Sequence, residues 1–206
     1  IVGKKIGLTS KSVQIQLGVD QPDFGILFDD MEVDTQGDIA WKETMQPKVE
    51  AEIAFVLKKD VLMAKPTMQD IEEAIDYAVA SIEVVGSRIA AWDIKIVDTI
   101  ADNASASHFV LGNNKKKISE IDVVHCKMSM KINDIEVSKG EGKACLGSPL
   151  IAVQWLAQQM LAVGSPLKSG DVILSGALGP MVNVAAGDEV TATIEGLGSV
   201  SVNFTN

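Results

Sequence analysis

Residues 47–57, Pro-Lys-Val-Glu-Ala-Glu-Ile-Ala-Phe-Val-Leu, constrain the fold more than any other stretch of the chain. Side chains alternate across a strand, so Val49, Ala51, Ile53, Phe55 and Leu57 share one face, apolar throughout. Glu50, Glu52, Ala54 and Val56 share the other, which opens with two carboxylates and then turns apolar. Such a strand runs from the lip of a cavity into the interior. Residues two apart on one face stand roughly 6.5–7 Å apart at the backbone. Partly buried carboxylates that close need a proton or a cation between them. An all-oxygen donor set suits a hard ion such as magnesium or manganese. The competing reading of Glu-x-Glu is a plain solvated face. Glu83, set among Ile82, Val84 and Val85, offers a third carboxylate, because an isolated charge in an apolar run is costly to bury unpaired. Its alternative is a salt bridge to Arg88 or to a lysine.

The rest of the chain supplies more strands than helices. Residues 1–8 alternate, and Lys5 shares its face with Gly3 and Gly7, leaving it room to reach into a cavity. The alternative for Lys5 is an edge-strand lysine that discourages aggregation. A short helix is predicted over 10–17, capped by Thr9 or Ser10. Asp23 sits in the turn cluster 20–25 and reads there as turn chemistry. Residues 29–37 read as an acidic surface loop or hairpin. Thr67 to Asp70 forms a capping box, and Ile71, Ala74, Ile75, Ala78 and Val79 at helical spacing carry a helix to 79. A buried strand follows over 81–85. Residues 88–107 are irregular and a candidate site wall, and 108–111 form a strand. A hairpin turns at Asn133-Asp134, a flexible glycine-rich connection covers 139–147, and Ser148-Pro149 opens a second helix closed by Gly164. Strands over 171–175, 188–194 and 199–204 finish the chain. The fold class is α+β and β-rich with two main helices, without the strand–helix alternation of a doubly wound sheet.

Composition removes several functions. The 206 residues fit one domain and carry a formal charge of −10, against a nucleic-acid backbone or an anionic membrane as partner. No apolar run reaches bilayer length. Cys126 and Cys145 are too few for a disulfide framework or a zinc site, and a reducing cytoplasm is the simplest home. No Gly-x-Ser-x-Gly elbow is present, and with His108 and His125 as the only histidines a nucleophile–histidine pair has no positive support.

Several separate stretches agree on a resemblance. They are Lys5-Ile6-Gly7-Leu8-Thr9, Pro22-Asp23-Phe24-Gly25, residues 46–56 and residues 82–88, followed by Asp102-Asn103-Ala104-Ser105 and residues 175–182. In this order they resemble the 2-keto-4-pentenoate (2-hydroxypenta-2,4-dienoate, vinylpyruvate) hydratases of the fumarylacetoacetate hydrolase superfamily. The resemblance covers nearly the whole chain. It implies a mixed β-sandwich roll, a Mg2+ or Mn2+ ion on Glu50, Glu52 and Glu83, acid–base chemistry on Lys5 and Asp23, and a place in meta-cleavage catabolism of aromatics. It also implies a homo-oligomer, an association with the pathway decarboxylase, and a further N-terminal helical segment ahead of a single catalytic domain over 1–206. The chain opens Ile1-Val2-Gly3 without an initiator methionine, in keeping with that segment.

The implied chemistry is hydration of a small 2-hydroxy or 2-oxo dienoic acid. The dienol ketonises, water adds at C4, and negative charge develops on the C2 oxygen, where a Lewis acid stabilises it. Asp23 is the expected base that prepares the water, and Lys5 the expected proton donor, its pKa lowered by partial burial. These two roles can be exchanged. Ser175 and Gly176 are expected to hold the substrate carboxylate through a hydroxyl and a backbone N–H, a plain turn being the alternative, with Arg88 as a further substrate-binding residue. The rival functions are a 2-oxo-3-hexenedioate (4-oxalocrotonate) decarboxylase, a carbon–carbon bond hydrolase, and a non-catalytic metal- or small-acid-binding subunit. The hydrolases typically use a histidine, and none precedes His108.

Overall fold

The structure is a computed structural model that describes residues 1–10, 13–15, 18–19 and 21–206. In chain order its strands are β1 (Gly3–Gly7), β2 (Asp23–Leu27), β3 (Glu32–Val33), β4 (Gly37–Ala40), β5 (Lys48–Leu57), β6 (Ile75–Val85) and β7 (Ala106–Leu111). Then follow β8 (Lys127–Ile132), β9 (Ile135–Glu141), β10 (Val172–Leu174), β11 (Val182–Asn183), β12 (Glu189–Ile194) and β13 (Gly198–Thr205). Besides the helical residues 13–15, the α-helices among the described residues are α1 (Met68–Ala74), α2 (Ile96–Ala101) and α3 (Pro149–Ala162). An 8-stranded sheet runs β2-β1-β10-β5-β6-β7-β3 with β11 also on β5, and a 5-stranded sheet runs β4-β13-β12-β8-β9. Both are mixed: β1 is parallel to β10, β3 to β7 and β4 to β13, and the remaining pairs are antiparallel. This is the mixed β-sandwich roll that the resemblance implied, and the β-rich α+β class read from the residues.

The alternation read from residues 47–57 organises the layers. Val49, Ala51, Ile53, Phe55 and Leu57 enter one core with Met128, Met130, Val190, Ala192 and Val202 of the second sheet and Leu156 of α3. The opposite face of β5 carries Ala54 into a separate cluster with Val79, Phe109, Leu27 and Leu174. Leu8, Val13, Val85, Ala177 and Met181 make a third apolar cluster. Glu50 and Glu52 precede Ala54 on that opposite face, so their charges enter a layer that is otherwise oil.

Helix α1 ends at Ala74, where the sequence predicted a helix to 79, and β6 takes over at Ile75. A spacing of four, as in Ile71–Ile75–Val79, satisfies a helix and a strand equally. Pairing with β5, from Ile75 opposite Leu57 through a bulge to Tyr77 and onward, decides for the strand. The capping box is as expected: Thr67 Oγ1 accepts from Asp70 N, and the Asp70 carboxylate accepts from Thr67 N. Of the connection expected over 139–147, residues 139–141 belong to β9 and 142–144 form a 3-10 turn, with Gly140 and Gly142 packed directly on the Leu178 and Val123 carbonyls. Residues 32–33 and 37–40 do not pair with each other as a hairpin, because β3 and β4 join different sheets. Asn133 and Asp134 both take positive φ (49° and 65°), the backbone of a tight two-residue hairpin turn. Helix α3 starts as read, with Ser148 Oγ accepting from Leu150 N and Pro149 in the first turn. Of the helix expected over 10–17, residues 13–15 are helical and Ser10 Oγ accepts from Val13 N, while 11, 12, 16 and 17 lie outside the described residues. Among the described residues, no helix is long and apolar enough to cross a membrane.

Candidate active site

The register of β5 on β6 sets Glu50 opposite Glu83 and Glu52 opposite Ser81. All three carboxylates are buried, and one oxygen from each lies within 4.8 Å of the others. Glu52 Oε2 accepts from Gly176 N at 2.7 Å. Gly176 sits at φ 106°, and a Cβ there would collide with Thr9, so only glycine brings this N–H to the carboxylate. Lys5 reaches in from β1, which lies between β2 and β10, so the edge-strand alternative falls away. Its Nζ donates to the Ala104 carbonyl at 2.9 Å and stands 3.1 Å from Glu83 Oε1. The register of β1 on β2 puts Asp23 opposite Gly7. A Cβ on Gly7 would collide with Asp23 Oδ1 and stand 3.1 Å from Lys5 Nζ, so the glycine leaves open the space where these two groups meet.

Charge in this cluster is unbalanced. Burial pushes Glu52 well above the usual carboxylate range, with Glu83 and Glu50 adding to the rise. Burial and the Glu83 charge push Glu50 up to about 8. Burial also raises Glu83, although Lys5 opposes it. For Lys5 the expectation of a lowered pKa does not hold. Burial alone would lower it, but Glu83, Asp23, Glu50 and Glu52 together outweigh burial and hold the ammonium above the ordinary lysine value. Among the described residues, Glu52 Oε1 and Glu83 Oε2 find no hydrogen-bond donor. Buried carboxylate oxygens without donors are costly. Three convergent carboxylates with orphaned oxygens are a donor set that fits a divalent cation, whose charge reverses the pKa logic of the groups around it.

The remaining site residues divide. Ser175 Oγ is buried and has no hydrogen-bond partner among the described residues. The Gly176 N–H is taken by Glu52. Arg88 is exposed, and its Nη1 donates to the carbonyls of Gly86 and Ala106 while Nε lies 3.4 Å from Asp102 Oδ1. The guanidinium therefore ties loop to loop instead of facing the carboxylates, and Glu83 finds its partner in Lys5. A cavity of about 30 Å³ lies over the cluster, between Lys5, Asp23 and Glu50 on one side and Leu8, Val13, Val85, Ile94 and Met181 on the other. That is room for about two waters. The segment 88–107, expected to be irregular, carries helix α2 and the first two residues of β7, and it supplies part of the wall through Trp92, Ile94, Thr99, Ala104 and Ser105. A larger hollow of about 600 Å³ lies away from this cluster, along β8, β9 and β12.

The chain matches the fumarylacetoacetate (FAA) hydrolase C-terminal family over residues 11–205. The chain belongs to that family. It is 54% identical over 204 residues to 2-keto-4-pentenoate hydratase 1 of Dechloromonas aromatica, covering 99% of this chain and 78% of the relative. It is 52% identical over 205 residues to 2-keto-4-pentenoate hydratase of Burkholderia vietnamiensis, covering 100% and 78%. Among family structures, it superimposes with a TM-score of 0.93 on 4-oxalocrotonate decarboxylase from Pseudomonas putida G7 complexed with magnesium and adipate. That pair is 36% identical and covers 99% of this chain and 78% of the other.

Reading residues alone did not find the Ala104 carbonyl, because a backbone acceptor leaves no trace in a side-chain pattern. Asn103 and Gly25 stood inside the stretches that carried the resemblance, without a role of their own.

Proposed function

We propose that this chain is a divalent-metal-dependent hydro-lyase that adds water to 2-hydroxypenta-2,4-dienoate, through its 2-oxo tautomer, to give 4-hydroxy-2-oxopentanoate. The observation that carries the reading is identity of 52% and 54% to curated 2-keto-4-pentenoate hydratases across essentially the whole chain. The carboxylate cluster beneath an apolar wall is consistent with it. Glu50, Glu52 and Glu83 would hold magnesium or manganese, and the ion would supply the Lewis acid that stabilises negative charge growing on the C2 oxygen. Asp23, beside the gap left by Gly7, prepares the attacking water. Lys5, held as an ammonium by its carboxylate neighbours, delivers the proton. Ser175 Oγ is the donor for the substrate carboxylate.

The decarboxylase is the second reading, favoured by the close superposition on the Pseudomonas enzyme. Its substrate carries another carboxylate, which calls for a cation or several donors. Among the described residues lining the cavity, Lys5 is the one cation and is already engaged by Glu83 and the Ala104 carbonyl. Leu8, Val13, Val85 and Met181 suit a short uncharged tail. The test gives the protein both substrates with magnesium or manganese, follows loss of dienoate absorbance and identifies the products. Hydration with little carbon dioxide is expected. Efficient decarboxylation with negligible hydration would overturn the reading.

A further inference from the structure

Asn103, Ala104 and Ser105 are three consecutive residues at positive φ (53°, 52° and 56°). Non-glycine residues seldom visit this region singly, and asparagine is among the few that tolerate it. Three in a row persist only where the surroundings hold them. The surroundings here are specific. Asn103 clamps the backbone of β2: its Oδ1 accepts from Ile26 N at 2.7 Å and its Nδ2 donates to Ile26 O at 2.9 Å. The side chain thereby pairs with β2 as a neighbouring strand would. Ser105 is fixed at the other end, its carbonyl accepting from Gly86 N at 2.8 Å. Asp102 is held by Arg88 N at 3.1 Å. Between these anchors, the Ala104 carbonyl points at Lys5 Nζ.

Gly25 completes the arrangement. It lies directly across from Lys5 in the β1–β2 register, and a Cβ on it would collide with the Asn103 carbonyl. The missing side chain lets the turn close onto β2 beside the lysine.

We infer that Asn103 is a positioning residue: by clamping Ile26 it fixes the left-handed turn whose Ala104 carbonyl aims Lys5 at the space it shares with Asp23. The inference rests on Lys5 acting in the proposed hydration. It assigns Asn103 no contact with substrate. Lys5 has four rotatable side-chain bonds and is drawn toward several carboxylates, and the anchored Ala104 carbonyl adds a short hydrogen bond that fixes where its ammonium sits.

The test uses Asn103→Gly, which adopts positive φ freely and so removes the clamp without adding strain. Asn103→Asp keeps the acceptor and loses the donor. Gly25→Ala pushes on the same turn from the β2 side and leaves Asn103 intact. Each variant is compared with the unmodified protein for hydratase kcat and KM, Mn2+ affinity, thermal midpoint and labelling of Lys5 by an amine reagent, read by mass spectrometry. We expect kcat to fall at least tenfold in Asn103→Gly and Gly25→Ala while KM and Mn2+ affinity stay within about twofold, with Lys5 labelled faster than in the parent. Asn103→Asp falls between. If Asn103→Gly folds poorly, Gly25→Ala and Asn103→Asp carry the same comparison. A kcat per folded molecule equal to the parent's, with Lys5 equally protected, would overturn the inference. If the unmodified protein does not hydrate the dienoate at all, the functional reading fails on its own. Faster labelling of Lys5 in the variants would still support the positioning role.

Discussion

Lys4 and Lys5 are neighbours on β1, both buried, and they point to opposite faces of the strand. Lys4 meets Asp171 at 2.5 Å, and the same Asp171 oxygen also accepts from Lys168 N at 2.7 Å. One cation faces one anion, and a backbone N–H adds a second donor to the same carboxylate oxygen. Lys5 meets Glu83 at 3.1 Å and feels Asp23, Glu50 and Glu52 besides. That group is overloaded with negative charge and leaves carboxylate oxygens without donors among the described residues. The first pair is a closed account between two side chains. The second is a set of groups waiting for something positive. Burial of a lysine thus distinguishes nothing by itself; the ratio of buried anions to buried cations around it does.

The comparison breaks most sharply on metal removal. Excess chelator should abolish turnover, and magnesium or manganese should restore it, as measured by dienoate absorbance. Full activity in chelator after dialysis would make the Lys5 cluster as self-sufficient as the Lys4 pair. Next in size, Lys5→Ala and Asp23→Asn should each lower kcat by about 10²–10⁴-fold with Mn2+ binding largely intact, the usual contribution of a general acid or base. Normal turnover in both variants would remove these residues from the chemistry. Lys4→Ala should behave in the opposite way. Removing one partner of a buried pair costs about 3–5 kcal/mol of stability, read by denaturant unfolding, while kcat per folded molecule stays near that of the parent. A loss of kcat without loss of stability would erase the distinction between the two lysines. The smallest effect concerns ligation itself. A divalent ion at a hundred times its Kd should stabilise the protein by about 2.7 kcal/mol, and Glu52→Gln should remove most of that gain in a thermal shift. An unchanged shift in Glu52→Gln would take Glu52 out of the ion's ligand set.

The sequence disclosed those parts of the site that obey a short period. Alternation along 47–57 put Glu50 and Glu52 on one face, and the charge stranded among Ile82, Val84 and Val85 marked Glu83. It also placed Lys5 between two glycines, though not its partner, because pairing across 78 positions depends on sheet order and leaves no local signature. Helix α1 was overextended for a physical reason: Ile75 and Val79 fit both periods, and only the partner strand β5 resolves them. Arg88 illustrates a different gap. A cation beside a site motif invites a ligand role, but the open carbonyls of Gly86 and Ala106 compete for it, and backbone acceptors are invisible in composition.

The carboxylates of Glu50 and Glu52 ride on a strand that is bonded on both sides. β6 pairs with it along its length, and on the other edge Ser175 N and Leu178 N donate to the carbonyls of Ile53 and Ala51. Local opening releases segments with few such ties, whereas a doubly bonded central strand opens only when the whole domain does. In hydrogen–deuterium exchange the amides of residues 50–55 should therefore be among the last to exchange, at the rate of global unfolding. The two carboxylates proposed to hold the ion are then as durable as the fold that carries them, and partial melting elsewhere leaves them in place.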